Sequence, residues 1–326
     1  MTVLKPGLLT TVQDAGRPGY RAFGLPVAGA MDRLSYALAN LLAGNAPGAA
    51  ALEMTLLGGA FRFSREGYAA VCGADMQASL DGRPLGPASG FPVAAGSELA
   101  FGGARVGVRT YLAVRGGLDV PLVLGSRSTY SRAGIGGFEG RALRVGDALP
   151  LGRPRGTRPP PRSLAPGLAP EVGGEVRLRC IPGPQDDLFT TIGRAMFFGA
   201  EYRVTNRNDR MGYQLEGPSI QHAGGADIVS DALVPGAVQV PGSATPIVMT
   251  VDAQTTGGYA KIATVIGSDL RRLAQARAGD VVRFESCTLD DAVEALRLEK
   301  GHLDEVRALL EGASRPAARG ARRRTA

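Results

Sequence analysis

The sequence predicts a mainly β protein built from two related barrels with a few helices, and three observations carry that prediction. Short apolar and β-branched runs recur between Gly-rich turns at 60–63, 69–72, 99–101 and 110–114, a spacing that suits a sandwich or barrel rather than alternating β and α units. A small-Gly-polar-x-apolar turn recurs at 95–99, 145–149 and 278–282, each time placed to start a strand, and two of the three close a half of the chain. Residues 152–174 are rich in Pro, Gly and Arg, with Pro159, Pro160 and Pro161 in succession, and read as a semi-extended linker with no packed element of its own. The resulting division is an N-terminal barrel domain with one helix over 1–151, the linker over 152–175, a second barrel over 176–287, a helix over 288–311 and a disordered basic tail over 312–326.

A length of 326 residues allows each half its own core. Composition is ordinary, with 44% hydrophobic and 21% charged residues, and no apolar run approaches the roughly 18 to 20 residues that span a bilayer. The first residues lack a signal-peptide layout, so a cytoplasmic protein without a membrane partner is expected. The net charge of +7 is carried by the ends of the domains: residues 315–326 hold five Arg and residues 153–162 hold four, with no acid in either segment. Without those nine the remainder stands at −2, Trp is absent and aromatics are 6%, so no specific nucleic-acid partner is expected. Cys72, Cys180 and Cys287 lie far apart without a CxxC pair and read as reduced core thiols. His222 and His302 are the only histidines, which leaves no basis for a His-ligated metal or a Ser-His-Asp triad, although His222 stands as a lone acid or base candidate.

Along the chain, residues 8–20 (LLTTVQDAGRPGY) give a β run followed by Gln13, Asp14 and Arg17 in a Gly/Pro turn. These three are either a binding group or a turn held by an Asp14 to Arg17 ion pair. The clearest helix of the first half follows: Asp32 caps it, Leu34, Ala37, Leu38, Leu41 and Leu42 form its apolar stripe, and Gly44-Asn45 ends it. Its start offers free N–H groups to an anion. In the second half a strand at 176–181 leads into the polar turn Pro182-Gly183-Pro184-Gln185-Asp186. A strand at 202–204 then leads to a polar loop at 206–213, where Arg210 either clamps a carboxylate or phosphate or pairs with Asp209. Residues 269–275 read as helix and 280–284 as the closing strand. Residues 288–310 read as a helix or a broken pair, with Thr288 and Asp290 near the start and an apolar face for the barrel or a partner.

The densest polar cluster lies between two buried strands expected at 246–251 and 262–266, where Asp252, Gln254, Thr255, Thr256, Tyr259 and Lys261 surround Gly257-Gly258. The chain has 34 Arg and three Lys, so Lys261 marks a place where a compact point charge is required. A glycine pair lets backbone approach a ligand while these groups converge on it. The plainer alternative makes Lys261 a strand-edge residue and Asp252 a turn cap.

Four segments carry a family resemblance: 6–20 with GAMD at 29–32, IPGPQ at 181–185, NDRMGYQLEG at 208–217, and GAVQVPG through DAQTTGGYAKIATVI at 236–266. Together they resemble the allophanate hydrolase subunit 2 or KipA-like family, to which the C subunits of 5-oxoprolinases belong, over most of residues 3–287. The resemblance implies two cyclophilin-like β-barrel domains and kinship with the carboxyltransferase half of urea carboxylase. It also implies two partners, the KipI-like B subunit of 5-oxoprolinase and its A subunit, and an assembled enzyme that uses ATP to open the lactam ring of 5-oxo-L-proline to glutamate. The chain has no GxxxxGK[ST] P-loop and no AMKM-type biotin-attachment segment, so ATP is expected to serve the assembly, no covalent biotin is expected here, and the chain alone is expected to be inactive.

A lactam or urea carbonyl needs donors at its oxygen and an acceptor for its N–H. On chemical type, Lys261, Thr255, Thr256 and Tyr259 suit the donors and Asp252 or Gln239 the acceptor. Arg210 or Arg17 suits a carboxylate clamp, and Gln13, Asp14, Asp32 and Gln254 complete the small-molecule binding set. Two alternatives remain open on the sequence: a carboxyltransferase-like subunit that works on urea or a related amide with biotin on another chain, and a non-catalytic regulator that binds a KipI-like protein.

Overall fold

The computed structural model describes residues 1–312, so all but one residue of the expected basic tail lies outside the described residues. In the N-terminal half two sheets face each other. One runs Thr2–Lys5, Ala60–Arg62, Glu98–Ala100, Ser79–Leu80 and Arg83–Pro84; the other runs Arg162–Ser163, Ala88–Val93, Gly67–Asp75, Val106–Val114, Ala51–Thr55 and Leu9–Gln13. Val3, Phe61 and Leu99 from the first meet Leu52, Val71 and Leu112 from the second in one core. The opposite face of the larger sheet, with Ala70, Cys72, Tyr111 and Ala113, is covered by helix α1 (Arg33–Ala43) and by Val306 of the C-terminal helix. Coverage on both faces explains why Val106–Val114 is buried at every position but its first, where a half-solvated strand would alternate.

Helix α1 forms as its sequence predicts. Asp32 accepts from Ser35 N at 3.0 Å, and Gly44 closes the helix in the left-handed region at φ 69°.

The C-terminal half closes into a seven-stranded barrel in the order Val176–Pro182, Lys261–Val265, Ala237–Gln239, Ile247–Met249, Gly212–Glu216, Tyr202–Asn208 and Val281–Ser286. A parallel pairing of the last strand with the first shuts it. The first strand alternates as a barrel stave should, with Val176, Leu178 and Cys180 buried and Arg177 exposed. Helix α2 (Thr191–Gly199) is absent from the sequence reading; Thr190 caps it, and Phe197 stacks on Phe284 with ring centroids 4.3 Å apart. Helix α3 (Leu270–Ala274) and helix α4 (Leu289–Leu310) follow, the latter a single helix and not a broken pair. Thr288 and Asp290 stand at its start as expected, and a capping box joins Thr288 to Asp291. The polar segment expected as a loop at 252–261 is itself partly strand: Thr256–Tyr259 pairs with Asp227–Ala232 in a two-stranded ribbon outside the barrel.

The linker departs from expectation. Arg162–Ser163 adds an edge strand to the larger sheet, Leu164, Leu168 and Ala169 pack on the helical layer, and Tyr68 Oη donates to Pro160 O at 2.6 Å. Proline lacks an N–H but suits a sheet edge, so the segment runs as a packed strap over the first domain. Among the three repeated turns, Gly96, Gly146 and Gly279 all take positive φ near 90°. Strands start after the first and third, whereas 145–149 forms only a bridge from Ala148 to Thr2.

No described helix is long and apolar enough to cross a membrane. Thr288→Ala removes the reciprocal cap of α4 and is expected to destabilise it by about 1 kcal/mol. Hydrogen exchange of the first-turn amides should speed up accordingly, with the barrel amides unchanged.

Candidate active site

The structure sorts the sequence candidates into three groups. The first is the junction between the halves, centred on Arg210 in the turn between barrel strands Tyr202–Asn208 and Gly212–Glu216. Its guanidinium grips Asp252 side-on (Nε to Oδ2 2.8 Å, Nη2 to Oδ1 3.1 Å), donates to Gly29 O at 2.7 Å, and reaches Glu53 of the first domain at 2.5 Å. Asp209 does not pair with Arg210; it caps the turn by accepting from Met211 N at 2.7 Å. Glu53 also accepts from Met31 N at 2.9 Å and Tyr111 Oη at 2.7 Å, with Arg109 Nε at 3.8 Å. Asp32 belongs to the same network, accepting from Gln275 Nε2 at 2.8 Å, while Gln275 Oε1 takes the N–H groups of Val108 and Arg109, both at 2.9 Å. Asp252, Arg210 and Asp32 are thus committed to joining the domains, and all three are buried. Burial alone would raise the Glu53 carboxyl; Arg210 and Arg109, with Met31 N–H and Tyr111 O–H, more than reverse it and hold Glu53 below its ordinary value. Burial pushes Asp252 the other way, above its ordinary value, although Arg210 opposes the rise.

The second group lies in the first domain. Asp14 accepts from Ser126 Oγ at 2.7 Å, Gly16 N at 2.8 Å, and the Ser128 hydroxyl and Arg127 N–H. Those donors replace the ion pair with Arg17 that the turn suggested. Arg17 is 1% exposed and donates through Nη2 to Ser128 O, while its Nε and Nη1 have no protein partner. Burial lowers its pKa, with Asp14 and Asp252 opposing the shift. Gln13 donates to Thr11 Oγ1 at 3.0 Å and Thr129 O at 3.2 Å.

The third group surrounds the barrel mouth. A cleft of 490 Å³ runs between the Asn206–Gly212 region and strand Ile247–Met249, with Gln239, Gln254 and Tyr259 in its wall and Arg132 reaching in from the first domain. Gln239 is buried, its Nε2 donating to Tyr259 O at 3.4 Å. Lys261 does not line the cleft; it is 2% exposed, and its Nζ donates to Asp231 Oδ2 at 2.7 Å. Gln185 braces the pair, donating to Asp231 at 3.2 Å and accepting from Lys261 N at 3.3 Å. A Cβ on Gly183 would stand 2.1 Å from Lys261 O, which is why a glycine precedes Pro184-Gln185 in this turn. The hydrogen bond from Lys261 pulls the Asp231 carboxyl down to about 2. Thr256 and Tyr259 sit on the ribbon and Thr255 just before it, with Thr256 and Tyr259 exposed. His222 is occupied elsewhere, its Nε2 3.0 Å from Val240 O and its ring 4.8 Å from that of Phe189.

Sequence reasoning missed Glu53, Arg109, Asp231, Gln275 and the rim arginines Arg132 and Arg207. Arg207 falls within the polar loop at 206–213, whereas Glu53, Arg109, Asp231 and Gln275 stand in unremarkable local contexts and gain their meaning from partners far away in the chain. A buried Glu53 in a strand was the one available signal, since a carboxylate among apolar strand residues requires a cation. No group of His, Cys, Asp and Glu suited to a metal occurs among the described residues, and the three cysteines are free.

A closed barrel joined by a buried ion network to a two-sheet domain, with a cleft at the barrel mouth that an arginine of the other domain enters, defines a class. The chain belongs to the carboxyltransferase domain family, subdomains A and B, which matches residues 23–286. Within that class it is 38% identical over 306 residues to the C subunit of 5-oxoprolinase from Escherichia coli (strain K12), covering 94% of this chain and 97% of that one. It is 34% identical to the urea amidolyase of Lachancea kluyveri over 86% of this chain and 16% of the longer protein. Its structure resembles that of the K. lactis urea amidolyase (TM-score 0.88, 31% identity, 94% of this chain and 20% of that one). It also resembles that of TTHA0988 (TM-score 0.79, 38% identity, 87% of this chain and 55% of that one).

Glu53→Gln is expected to destabilise the protein by about 3 to 5 kcal/mol, because Arg210 and Arg109 stay buried with one carboxylate fewer. The sign for pH follows from the lowered Glu53 pKa: its contribution is present above the ordinary carboxylate range near about 4 and is lost as pH falls through the folded value. Melting temperature should therefore fall on acidification below about pH 4 in the wild type, and less steeply in the variant.

Proposed function

We propose that this chain is the C subunit of an ATP-dependent 5-oxoprolinase, which opens the lactam ring of 5-oxo-L-proline to glutamate together with partner subunits. The observation that carries this reading is the end-to-end likeness to two proteins of that name, 38% identical in Escherichia coli and 37% in Haemophilus influenzae. ATP serves the assembly, the partners are the KipI-like B subunit of the enzyme and its A subunit, biotin is not carried on this chain, and the chain alone is inactive.

The cleft suits such a substrate. Ring opening adds the hydroxyl of water to the carbonyl carbon and a proton to the nitrogen, so the site must meet a carbonyl oxygen, an N–H and a carboxylate. The Gln239 and Gln254 amides can each donate and accept, matching both faces of a lactam. Arg132 and Arg207 on the rim suit the carboxylate. Lys261, paired with Asp231 and braced by Gln185, anchors the ribbon on which Thr256 and Tyr259 stand.

A second reading, carboxyl transfer to urea or a related amide from biotin on another chain, draws on the likeness to urea amidolyases. The two are separated by mixing the purified chain with its two partner subunits, then adding ATP. Glutamate release from 5-oxoproline is expected; its absence, with bicarbonate-dependent consumption of urea beside a biotin-bearing partner, would favour the second reading. In the active assembly Lys261→Met should free the ribbon from its anchor and lower turnover by roughly a hundredfold while leaving assembly intact, the scale of misplacing positioned groups by about 1 Å. Lys261→Arg should not restore it fully, since a planar fork does not fit a site built for a point charge.

A further inference from the structure

The arginine-rich linker has no part in the site described above, yet it walls a second cleft. A cavity of 680 Å³, larger than the 490 Å³ cleft at the barrel mouth and sharing no residue with it, opens among residues 44–50, 116–119 and 152–155. Three arginines enter it: Arg127, Arg153 and Arg155. Arg127 is committed, donating through Nε to Val120 O at 2.8 Å and through Nη2 to Asp119 at 3.0 Å, and this pair neutralises the one carboxylate in the wall. Arg153 and Arg155 are exposed, and among the described residues neither guanidinium has a hydrogen bond or an ion pair.

The main chain that carries these two free cations is nonetheless fixed. Arg115, 8% exposed, donates through Nη2 to Gly156 O at 2.9 Å and to Arg155 O. Arg65 donates to Leu151 O at 3.2 Å and Gly152 O at 3.0 Å. Gly116 and Gly152 lie so close that a Cβ on Gly152 would stand 2.2 Å from Gly116 O, which makes a floor of bare backbone. Asn45 spends its amide on Asn40, Val114 and Gly116. No aromatic side chain lines the cleft, so it offers nothing to hold an apolar ligand body.

Two unpaired guanidiniums, anchored two residues apart over a polar cleft whose carboxylate is already neutralised, match a ligand with several negative oxygens in a row. We propose that this cleft binds a phosphate chain, such as the triphosphate of a nucleotide, with Arg153 and Arg155 supplying the charge. Such binding does not depend on the 5-oxoprolinase reading.

The test is titration calorimetry on the full chain with sodium tripolyphosphate, with ATP and with adenosine, at low and at physiological salt. Tripolyphosphate and ATP should both bind and adenosine should not, with affinity falling as salt rises. The double variant Arg153→Ala and Arg155→Ala should bind both at least about tenfold more weakly at unchanged melting temperature, since both side chains are exposed. Because that variant keeps all the arginines of residues 315–326 and the rest of the chain, wild-type affinity in it would place the binding elsewhere and overturn the proposal. Absence of binding by either polyanion would overturn it too, as would binding of ATP without tripolyphosphate, which would place recognition on the base or ribose.

Discussion

The Arg210 guanidinium is the interaction on which the rest of the structure depends. It holds Asp252 of its own barrel, the Gly29 carbonyl just ahead of α1 and Glu53 of the first domain, all of them buried. Desolvating such a group costs several kcal/mol, and only complete pairing offsets that cost. Every donor and acceptor around it therefore has to arrive in register, which ties the α1 start, the Ala51–Thr55 strand and the barrel turn at residue 210 to one arrangement. The cleft at the barrel mouth inherits its geometry from that constraint, because one arginine of its rim comes from the first domain and the rest of its wall from the second.

The same economy of charge explains Lys261. A lone buried ammonium would be neutralised by deprotonation or expelled; here an aspartate on the outer ribbon and a glutamine from the Pro182 turn keep it in place. Two of the motifs that carry the family resemblance thus converge on one lysine, although they lie far apart in the chain. The lysine stands outside the cleft wall, where its ion pair with Asp231 ties the barrel strand to the ribbon.

Membership of the carboxyltransferase family places the chain among relatives named as 5-oxoprolinase subunits and urea amidolyases, and a lactam and urea share one planar amide. The wall of the cleft mixes side-chain amides and two rim arginines with Asp209 and with the apolar side chains of Met211, Ile247 and Met249. The linker, packed as a strap along the first domain, adds a second polar surface with unpaired cations at a distance in sequence from every residue of that cleft.

The sequence by itself determined the local elements whose cause is local. The Asp32 cap and Gly44 stop of α1, the alternation of Val176 to Cys180, the turn glycines at 96 and 279 and the Thr288 cap of α4 are each read from a few neighbouring residues. Tertiary structure decided which polar residues share a site. Asp252, Arg210 and Asp32 have the chemistry of a binding site and serve as a buried joint, because Glu53, Arg109 and Gln275 come from distant strands and loops to complete them. Asp231 gave no signal, since an aspartate in a short exposed strand has no meaning until Lys261 is seen 2.7 Å away. Periodicity and capping act over a few residues and leave their mark in the sequence; charge pairing in a desolvated interior depends on which surfaces meet, and only the folded chain settles that.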